Sequence, residues 1–515
     1  MDWRALQNGS DIRGVALASA GGTDADVNLT PAVVRRIGSA FARWLGRALE
    51  REPQALTIAV GRDSRISGPA LAAALSEGIA AEGARVLDFG LASTPAMFMS
   101  TVTPSYRCDG AVMLTASHLP PHRNGCKFFT ARGGLNREDI TTLLELAGSG
   151  DLKPPGTVGP VEEIDFMSAY ASQLVERVRQ GAAHPEHPER PLRGLKIVVD
   201  AGNGAGGFFV DRVLEPLGAD TTGSRFLEPD GSFPGHVPNP EHPDAMAALR
   251  EAVLARAADF GIAFDPDVDR AAAMDGSGRE INRNRLVALA AAVVLREHPG
   301  TTIVTDSVTS DGLTEFIEEG LGGVHHRFRR GYRNVINEAV RLNAAGEPCW
   351  LAIETSGHAA LKENHFLDDG AYLVAMLLIE LARARRGGRD LGDLIAELRE
   401  PAESREYRLG LPAQDFAARG ERILDALRER VAAEPDWEVV PDTHEGVRVT
   451  CRGPGEQGWF LLRLSLHDPV LPLNVESEVS GGADRIERRL ARLLSAMDRS
   501  MDLDALDARQ RTDAN

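Results

Sequence analysis

Basic residues are in deficit in this chain. Lysines and arginines number 57 against 75 aspartates and glutamates, a formal charge of -18. Such a surface repels nucleic acid and anionic membranes, and an anionic ligand must find a local positive pocket. Cysteine is scarce as well. Cys108, Cys126, Cys349 and Cys451 are scattered without a C-x-x-C pair, which fits buried, reduced thiols better than a disulfide framework or a zinc site. Long apolar runs are missing. The stretch Leu286 to Leu295 is closed by Arg296, far short of the roughly 20 residues that span a bilayer, and reads as a core helix. Met1-Asp2-Trp3-Arg4 is not a basic segment leading into an apolar one, so no secretory signal is visible and the expected location is cytoplasmic.

A chain of 515 residues with 43% apolar and 26% charged residues has the composition of a folded protein with two to four domains. Three segments share an apolar strand, an aspartate and then small residues: Thr57-Ile-Ala-Val-Gly-Arg-Asp63, Leu195-Lys-Ile-Val-Val-Asp200 and Thr301-Thr-Ile-Val-Thr-Asp306. Each precedes a stretch read as helical: Pro69 to Glu82, Gly207 to Leu217 and Gly312 to Glu319. Their recurrence predicts three similar α/β units in tandem. After residue 403 the pattern changes to short strands around Trp437, Gly446, Gly458 and Leu471, which predicts an antiparallel α+β domain. His184 to Pro191 reads as an exposed loop and Asp498 to Asn515 as a charged, frayed tail.

Two loops carry chemistry. Phe264-Asp265-Pro-Asp267-Val-Asp269-Arg270 follows the apolar strand Phe260-Gly-Ile-Ala-Phe. Three alternating carboxylates on a straight strand would repel along one face, so the segment is expected to curl around a hard divalent cation. Arg270 and Gly276 stand where an EF-hand needs glycine and glutamate, which leaves Mg²⁺ with room for a phosphate oxygen. The second loop, Thr115-Ala-Ser117-His118-Leu119 running on to Asn124-Gly-Cys126-Lys127, follows the strand Gly110-Ala-Val-Met-Leu, the usual place for active-site residues in α/β folds. On extended backbone Ser117 and His118 would point opposite ways, and no G-x-S-x-G elbow is present, so hydrolase-style serine catalysis is disfavoured.

Together these motifs resemble the α-D-phosphohexomutase superfamily, the phosphomannomutase and phosphoglucomutase group. Asp11-Ile12-Arg13-Gly14 is similar to that family's opening motif, and Pro229-Asp-Gly-Ser-Phe-Pro-Gly-His-Val-Pro-Asn-Pro240 to its second-domain signature. Gly331-Tyr332-Arg333 and Glu354-Thr-Ser356-Gly-His358 are similar to its substrate loops. The resemblance implies an α/β fold of three tandem domains with mixed sheets and a C-terminal antiparallel α+β domain, four around a central cleft. The expected boundaries are 1–155, 156–279, 280–402 and 403–515.

The same resemblance implies an intramolecular phosphotransferase. A phosphoserine at Ser117 exchanges its phosphoryl group with a hexose 1-phosphate or 6-phosphate, of mannose or glucose, through a hexose 1,6-bisphosphate that also serves as activator. A mobile last domain would let this intermediate turn without escaping. The implied metal ligands are Asp265, Asp267, Asp269 and the Ser117 phosphate. Arg13 and Arg270 are the implied cations beside the transferring group, and Lys127 the general acid/base with His118 in support. Glu354 and Ser356 would bind sugar hydroxyls, with His358 ordering their loop. Arg463, Ser465 and His467 would clamp the other phosphate. The clamp Arg463-Leu-Ser465-Leu-His467-Asp468-Pro469 departs from the family's R-x-S-x-T-E-P, and Leu119 stands where asparagine is common.

The expected partner is a small sugar phosphate, with no nucleic acid, no membrane, and a monomeric or homodimeric state. Two alternatives remain open on the residues. Asp265-Pro-Asp267-Val also fits the D-x-D-x-[TV] pattern of phosphatases with an aspartyl nucleophile, and the altered clamp also fits a catalytically weak sugar-phosphate-binding protein.

Overall fold

The computed structural model describes residues 1–18, 26–149, 156–441, 443–465, 468–498, 501–503 and 506. The chain forms two compact units, Met1–Val293 with Trp350–Ile395, and Val294–Cys349 with Ala396–Asn515.

The first unit is built on two sheets. The larger has eight strands, and its path runs Gln7–Asn8, Asp11–Val15, Arg123–Thr130, Gly110–Leu114, Thr57–Arg62, Arg85–Leu91 and Val161–Glu163, with Gly133–Gly134 beside Arg123–Thr130. Thr57–Arg62 lies parallel to both Arg85–Leu91 and Gly110–Leu114. Arg123–Thr130 turns back antiparallel to Gly110–Leu114, so residues 115–122 form a loop at the carboxyl end of the parallel strands, where side chains are free to face a ligand. Gly110–Leu114 is buried along its whole length, which accounts for its unbroken apolar sequence. Helix Pro31–Leu49 starts with a Thr30 side-chain cap and proline in its first turn, the residues best suited to a helix start.

The second sheet orders Glu280–Ile281, Ala271–Asp275, Phe260–Phe264 and Ile197–Asp200. Phe260–Phe264 and Ala271–Asp275 pair antiparallel, with Phe264 opposite Ala271, so residues 265–270 are the hairpin loop between them. The expected curl is therefore present. Val268 within it has φ 65°, a left-handed conformation that a β-branched residue rarely takes. From residue 350 the same unit contains the rest of strand Cys349–Ile353, antiparallel to Ala359–Leu361, which pairs antiparallel with Leu367–Asp368 ahead of helix Gly370–Arg386.

In the second unit Thr302–Asp306 pairs parallel with Val324–Phe328. A five-stranded antiparallel sheet follows, in the order Glu403–Gly410, Val470–Ser477, Gly458–Leu462, Val447–Cys451 and Trp437–Val439. Helix Gly482–Met497 buries Ile486, Leu490 and Leu494, one stripe at helical spacing, in the core of this sheet domain. Three α/β segments with mixed sheets and a terminal antiparallel domain are thus present as expected.

Two expectations need correction. Gly207 to Leu217 is helical only over residues 208–214, an α-helical start running into the π-helix Val210–Leu214, with turns on either side. Gly207 leads into it and Pro216 follows it, residues that disfavour helix at either side. The chain end is not wholly frayed. Asp498 pairs with Arg419, and Met501 and Leu506 are buried in the C-terminal core, so apolar residues in the tail anchor it. The core helix read at Leu286 to Leu295 is present as Asn284–Glu297, with every residue of that stretch buried. Among the described residues no helix is long and apolar enough to cross a membrane, and all four cysteines are free and buried.

Candidate active site

The serine loop and the acidic hairpin loop meet inside the first unit. Ser117 Oγ donates to Asp265 Oδ2 at 2.7 Å, and Arg270 Nη2 donates to Ser117 Oγ at 3.1 Å. Ser117 has φ 50°. This left-handed residue overturns the expectation of extended backbone, for it turns His118 to the same side, with its Nδ1 3.4 Å from Ser117 Oγ. The pair is nonetheless no hydrolase couple. His118 Nδ1 accepts from Arg270 Nη2 at 2.7 Å, and burial, helped by Arg270 and Arg13, pushes the imidazole down to about 2. A neutral ring already used as an acceptor is a poor base.

The three aspartates are buried and offer oxygens within 4.8 Å of one another. Lys127 reaches them from strand Arg123–Thr130, donating to Asp267 Oδ2 at 2.8 Å and to Asp269 Oδ2. Thr94, in the first turn of helix Thr94–Val102, adds its backbone N–H to the Asp267 carbonyl and its hydroxyl to Asp267 Oδ2. Burial and the charges of Asp267 and Asp269 push Asp265 well above the usual carboxylate range. Burial would raise Asp269 too, but Lys127, His358 and Arg270 together bring it below that range. Asp267 Oδ1 and Asp269 Oδ1 are buried and accept no hydrogen bond, a costly state for carboxylate oxygens. This donor set, hard oxygens in a buried cluster, fits a divalent cation.

Glu354 and Ser356 are buried, with Ser356 Oγ 3.4 Å from Glu354 Oε2. Their loop is tied to the acidic hairpin by a backbone bridge between Arg270 and His358. His358 Nδ1 bonds Asp368 and lies 3.9 Å from Asp269 Oδ1. Burial lowers His358, yet Asp368 and Asp269 overcome it and raise the ring to about 9, so it stands as an imidazolium beside the acidic loop. Arg13 donates to Asp11 Oδ2 at 2.9 Å and to the carbonyl of Ala116, next to Ser117, at 3.0 Å.

Some contributors escaped the sequence reading. Asn239, quoted in the second-domain signature without a role, accepts from Arg270 Nη1 at 3.1 Å. Asp63 and Arg65 are fully buried beside the serine loop. The carboxyl of Asp63 is pushed up to about 6 by burial, against the opposing pull of Arg65. The signal for them was in the strand Thr57–Arg62, which ends at the carboxyl edge beside Gly110–Leu114. Thr94 carries no comparable signal.

The family model for phosphoglucomutase/phosphomannomutase alpha/beta/alpha domain I matches residues 4–148, domain II residues 168–278 and domain III residues 282–401. The chain is 33% identical over 454 residues to a phosphomannomutase/phosphoglucomutase of Pseudomonas putida, covering 87% of this chain and 89% of that protein. It belongs to the phosphoglucomutase/phosphomannomutase family. A phosphoglucomutase of Neisseria gonorrhoeae is 31% identical over 460 residues, 88% of this chain and 93% of its own. A crystal structure of a phosphoglucomutase/phosphomannomutase family protein from Burkholderia thailandensis superposes with a TM-score of 0.77 at 30% identity, covering 96% of this chain and 98% of that one.

Family membership leaves the aspartyl-phosphatase reading of Asp265 without support. As a phosphoglucomutase/phosphomannomutase family member, the chain carries the remaining expected residues in its second unit. Gly331, with φ 117°, precedes helix Tyr332–Ala344, which begins with Tyr332 and Arg333. Arg463 and Ser465 follow strand Gly458–Leu462, with the Ser465 hydroxyl accepting from the Asp468 N–H at 3.2 Å. Burial and the nearby Arg330 lower Arg463, against the opposing pull of Glu445, Glu406 and Asp306. His467 lies outside the described residues.

Proposed function

We propose that the chain interconverts hexose 1-phosphate and hexose 6-phosphate, of glucose, mannose or both, through a phosphoserine at Ser117 and a hexose 1,6-bisphosphate intermediate. One observation carries the reading: the Ser117 hydroxyl sits 2.7 Å from Asp265 and 3.1 Å from Arg270, beside a buried carboxylate cluster. The names of the relatives supply the substrate class.

In this reading Asp265, Asp267 and Asp269 would hold Mg²⁺ together with the Ser117 phosphate, and the bound cation would supply positive charge to a reaction that is mostly positioning and electrostatics. The bond from phosphorus to the sugar oxygen forms as its bond to Ser117 Oγ breaks. Lys127 is the general acid/base that exchanges a proton with the sugar hydroxyl, in one direction in each half-reaction. Arg270 faces the charge left on the seryl oxygen, and Arg13 steadies the loop at Ala116. His118, neutral and bonded to Arg270, orients that guanidinium rather than moving protons. Glu354 and Ser356 bind sugar hydroxyls, with His358 ordering their loop. Gly331, Tyr332 and Arg333 belong to a further substrate loop, and Arg463, Ser465 and His467 clamp the phosphate that does not react. Hexose 1,6-bisphosphate is the activator, because it rephosphorylates Ser117 if the intermediate escapes. We place the enzyme in the cytoplasm, as a monomer or homodimer, with domains bounded at 1–155, 156–279, 280–402 and 403–515.

A coupled assay with glucose 1-phosphate and mannose 1-phosphate, Mg²⁺ and a trace of the bisphosphate tests this reading. Formation of the 6-phosphates by wild type, lost in Ser117→Ala, is expected. Turnover unchanged in Ser117→Ala would sink it.

A further inference from the structure

The left-handed backbone at Ser117 has to be held by something, because a non-glycine residue pays for that conformation. Both of its backbone polar groups lead to one ion pair. The Ser117 N–H donates to Thr115 Oγ1 at 2.8 Å, and the Thr115 hydroxyl donates in turn to Asp63 Oδ2 at 2.7 Å. The Ser117 carbonyl accepts from Arg65 Nη2, the partner of Asp63. Arg65 also donates to the carbonyls of Leu119 at 2.6 Å, Pro120 at 2.8 Å and Arg123 at 2.8 Å. One guanidinium therefore gathers the loop from the serine to the start of the next strand. Asp63 and Arg65 are fully excluded from solvent, so these charge-assisted bonds are not weakened by water.

The second-domain signature closes the device from the other side. The Phe233 ring lies 5.2 Å from the Arg65 guanidinium, within cation–π range. Gly231 passes so close that a Cβ on it would strike Ile66 N and meet Arg65 Cα at 2.6 Å.

We propose that the Asp63–Arg65 pair, braced by Phe233, is the positioning element of the phosphoacceptor: it fixes the N–H of Ser117 through Thr115 and the C=O directly, and so aims Oγ at the acidic loop. This rests on the reading of Ser117 as the residue that carries the phosphoryl group. Asp63, Thr115, Arg65 and Phe233 touch no reacting atom, and their effect falls on the rate of transfer rather than on substrate affinity.

The test uses the full chain, charged with labelled phosphate from glucose 1,6-bisphosphate, and follows transfer to glucose 1-phosphate by rapid quench. Mapping the label in wild type comes first. Label on a residue other than Ser117 defeats the underlying reading and the inference with it. With label on Ser117, Thr115→Val is expected to slow transfer about 100-fold, the scale of a misplaced reacting group, while KM stays within about twofold. Thr115→Ser, which restores the hydroxyl, is expected within about threefold of wild type, a rescue that loss of packing would not give. Should Thr115→Val not fold, Phe233→Leu is expected to slow transfer about tenfold at unchanged KM. Transfer within about threefold of wild type in a folded Thr115→Val or Phe233→Leu protein, with label on Ser117, overturns the inference alone.

Discussion

Asp265 and Ser117 stand 148 positions apart in the chain, yet the seryl hydroxyl donates to Asp265 Oδ2 at 2.7 Å. The bond joins a loop of the eight-stranded sheet to the hairpin loop of the four-stranded one, so the site exists only when the two sheets have docked. It also places a hydroxyl against a carboxyl that its neighbours push toward the protonated form.

Asp265→Asn keeps the volume and an acceptor but removes a charge from the buried cluster. Without added metal the variant is expected to melt at or above the wild-type temperature, because repulsion with Asp267 and Asp269 is relieved. Saturating Mg²⁺ is expected to raise the wild-type midpoint by mass action and the variant's much less. Thermal melts with Mg²⁺ and with chelator check this, and equal Mg²⁺ shifts in the two proteins would contradict the assignment.

Lys127 bridges Asp267 and Asp269, so its removal separates two roles. Lys127→Met leaves buried carboxylates without their cation, a loss of about 3–5 kcal/mol in chelator. Mg²⁺ is expected to restore much of that stability but none of the turnover, since the proton carrier is gone. Urea unfolding and the coupled assay on one preparation distinguish the two, and recovery of activity with stability would refute the acid/base assignment.

Gly357 sits in the loop between Glu354 and His358 with φ 93°, and a Cβ there would meet the Ala271 carbonyl at 2.5 Å. Gly357→Ala is expected to cost about 1–3 kcal/mol and, by shifting Glu354 and Ser356, to raise KM more than it lowers kcat. Steady-state kinetics with an unaltered KM would count against the hydroxyl-binding role of that loop.

Much of the site was legible before the structure. The D-x-D-x-D spacing announces a curled loop, because carboxylates so placed cannot share a straight strand face, and the polar serine loop follows an unbroken apolar strand. Less visible was anything that depends on a single backbone torsion. The left-handed turn at Ser117 brings His118 alongside, where extended backbone would have parted them. Arg65 and Thr94 reach the site through folding over long sequence distances. Met501 and Leu506 lie among charged residues, and no periodic pattern marks them as core.

Glu476 in the second unit gives a pH signature away from the chemistry. It accepts from Ser404 Oγ at 3.0 Å and Trp459 Nε1 at 3.1 Å, and burial raises it from 4.5 to about 7. A carboxyl raised on folding binds its proton more tightly in the native state, so its contribution is full below about 4.5 and is lost as pH rises through about 7. Glu476→Gln can serve both partners without a charge. Its melting temperature relative to wild type is expected to rise by a few degrees between pH 5 and pH 8. A difference that does not change with pH would contradict the raised value.

In the proposed reaction Ser117, not an aspartate of the acidic loop, carries the phosphoryl group. The direct measurement is to incubate the enzyme with labelled glucose 1,6-bisphosphate and Mg²⁺, digest it, and locate the label by mass spectrometry. An acid-stable phosphate on Ser117 that is discharged by glucose 1-phosphate is expected. Ser117 left unlabelled, with a hydroxylamine-sensitive acyl phosphate on Asp265 or Asp267, would contradict it.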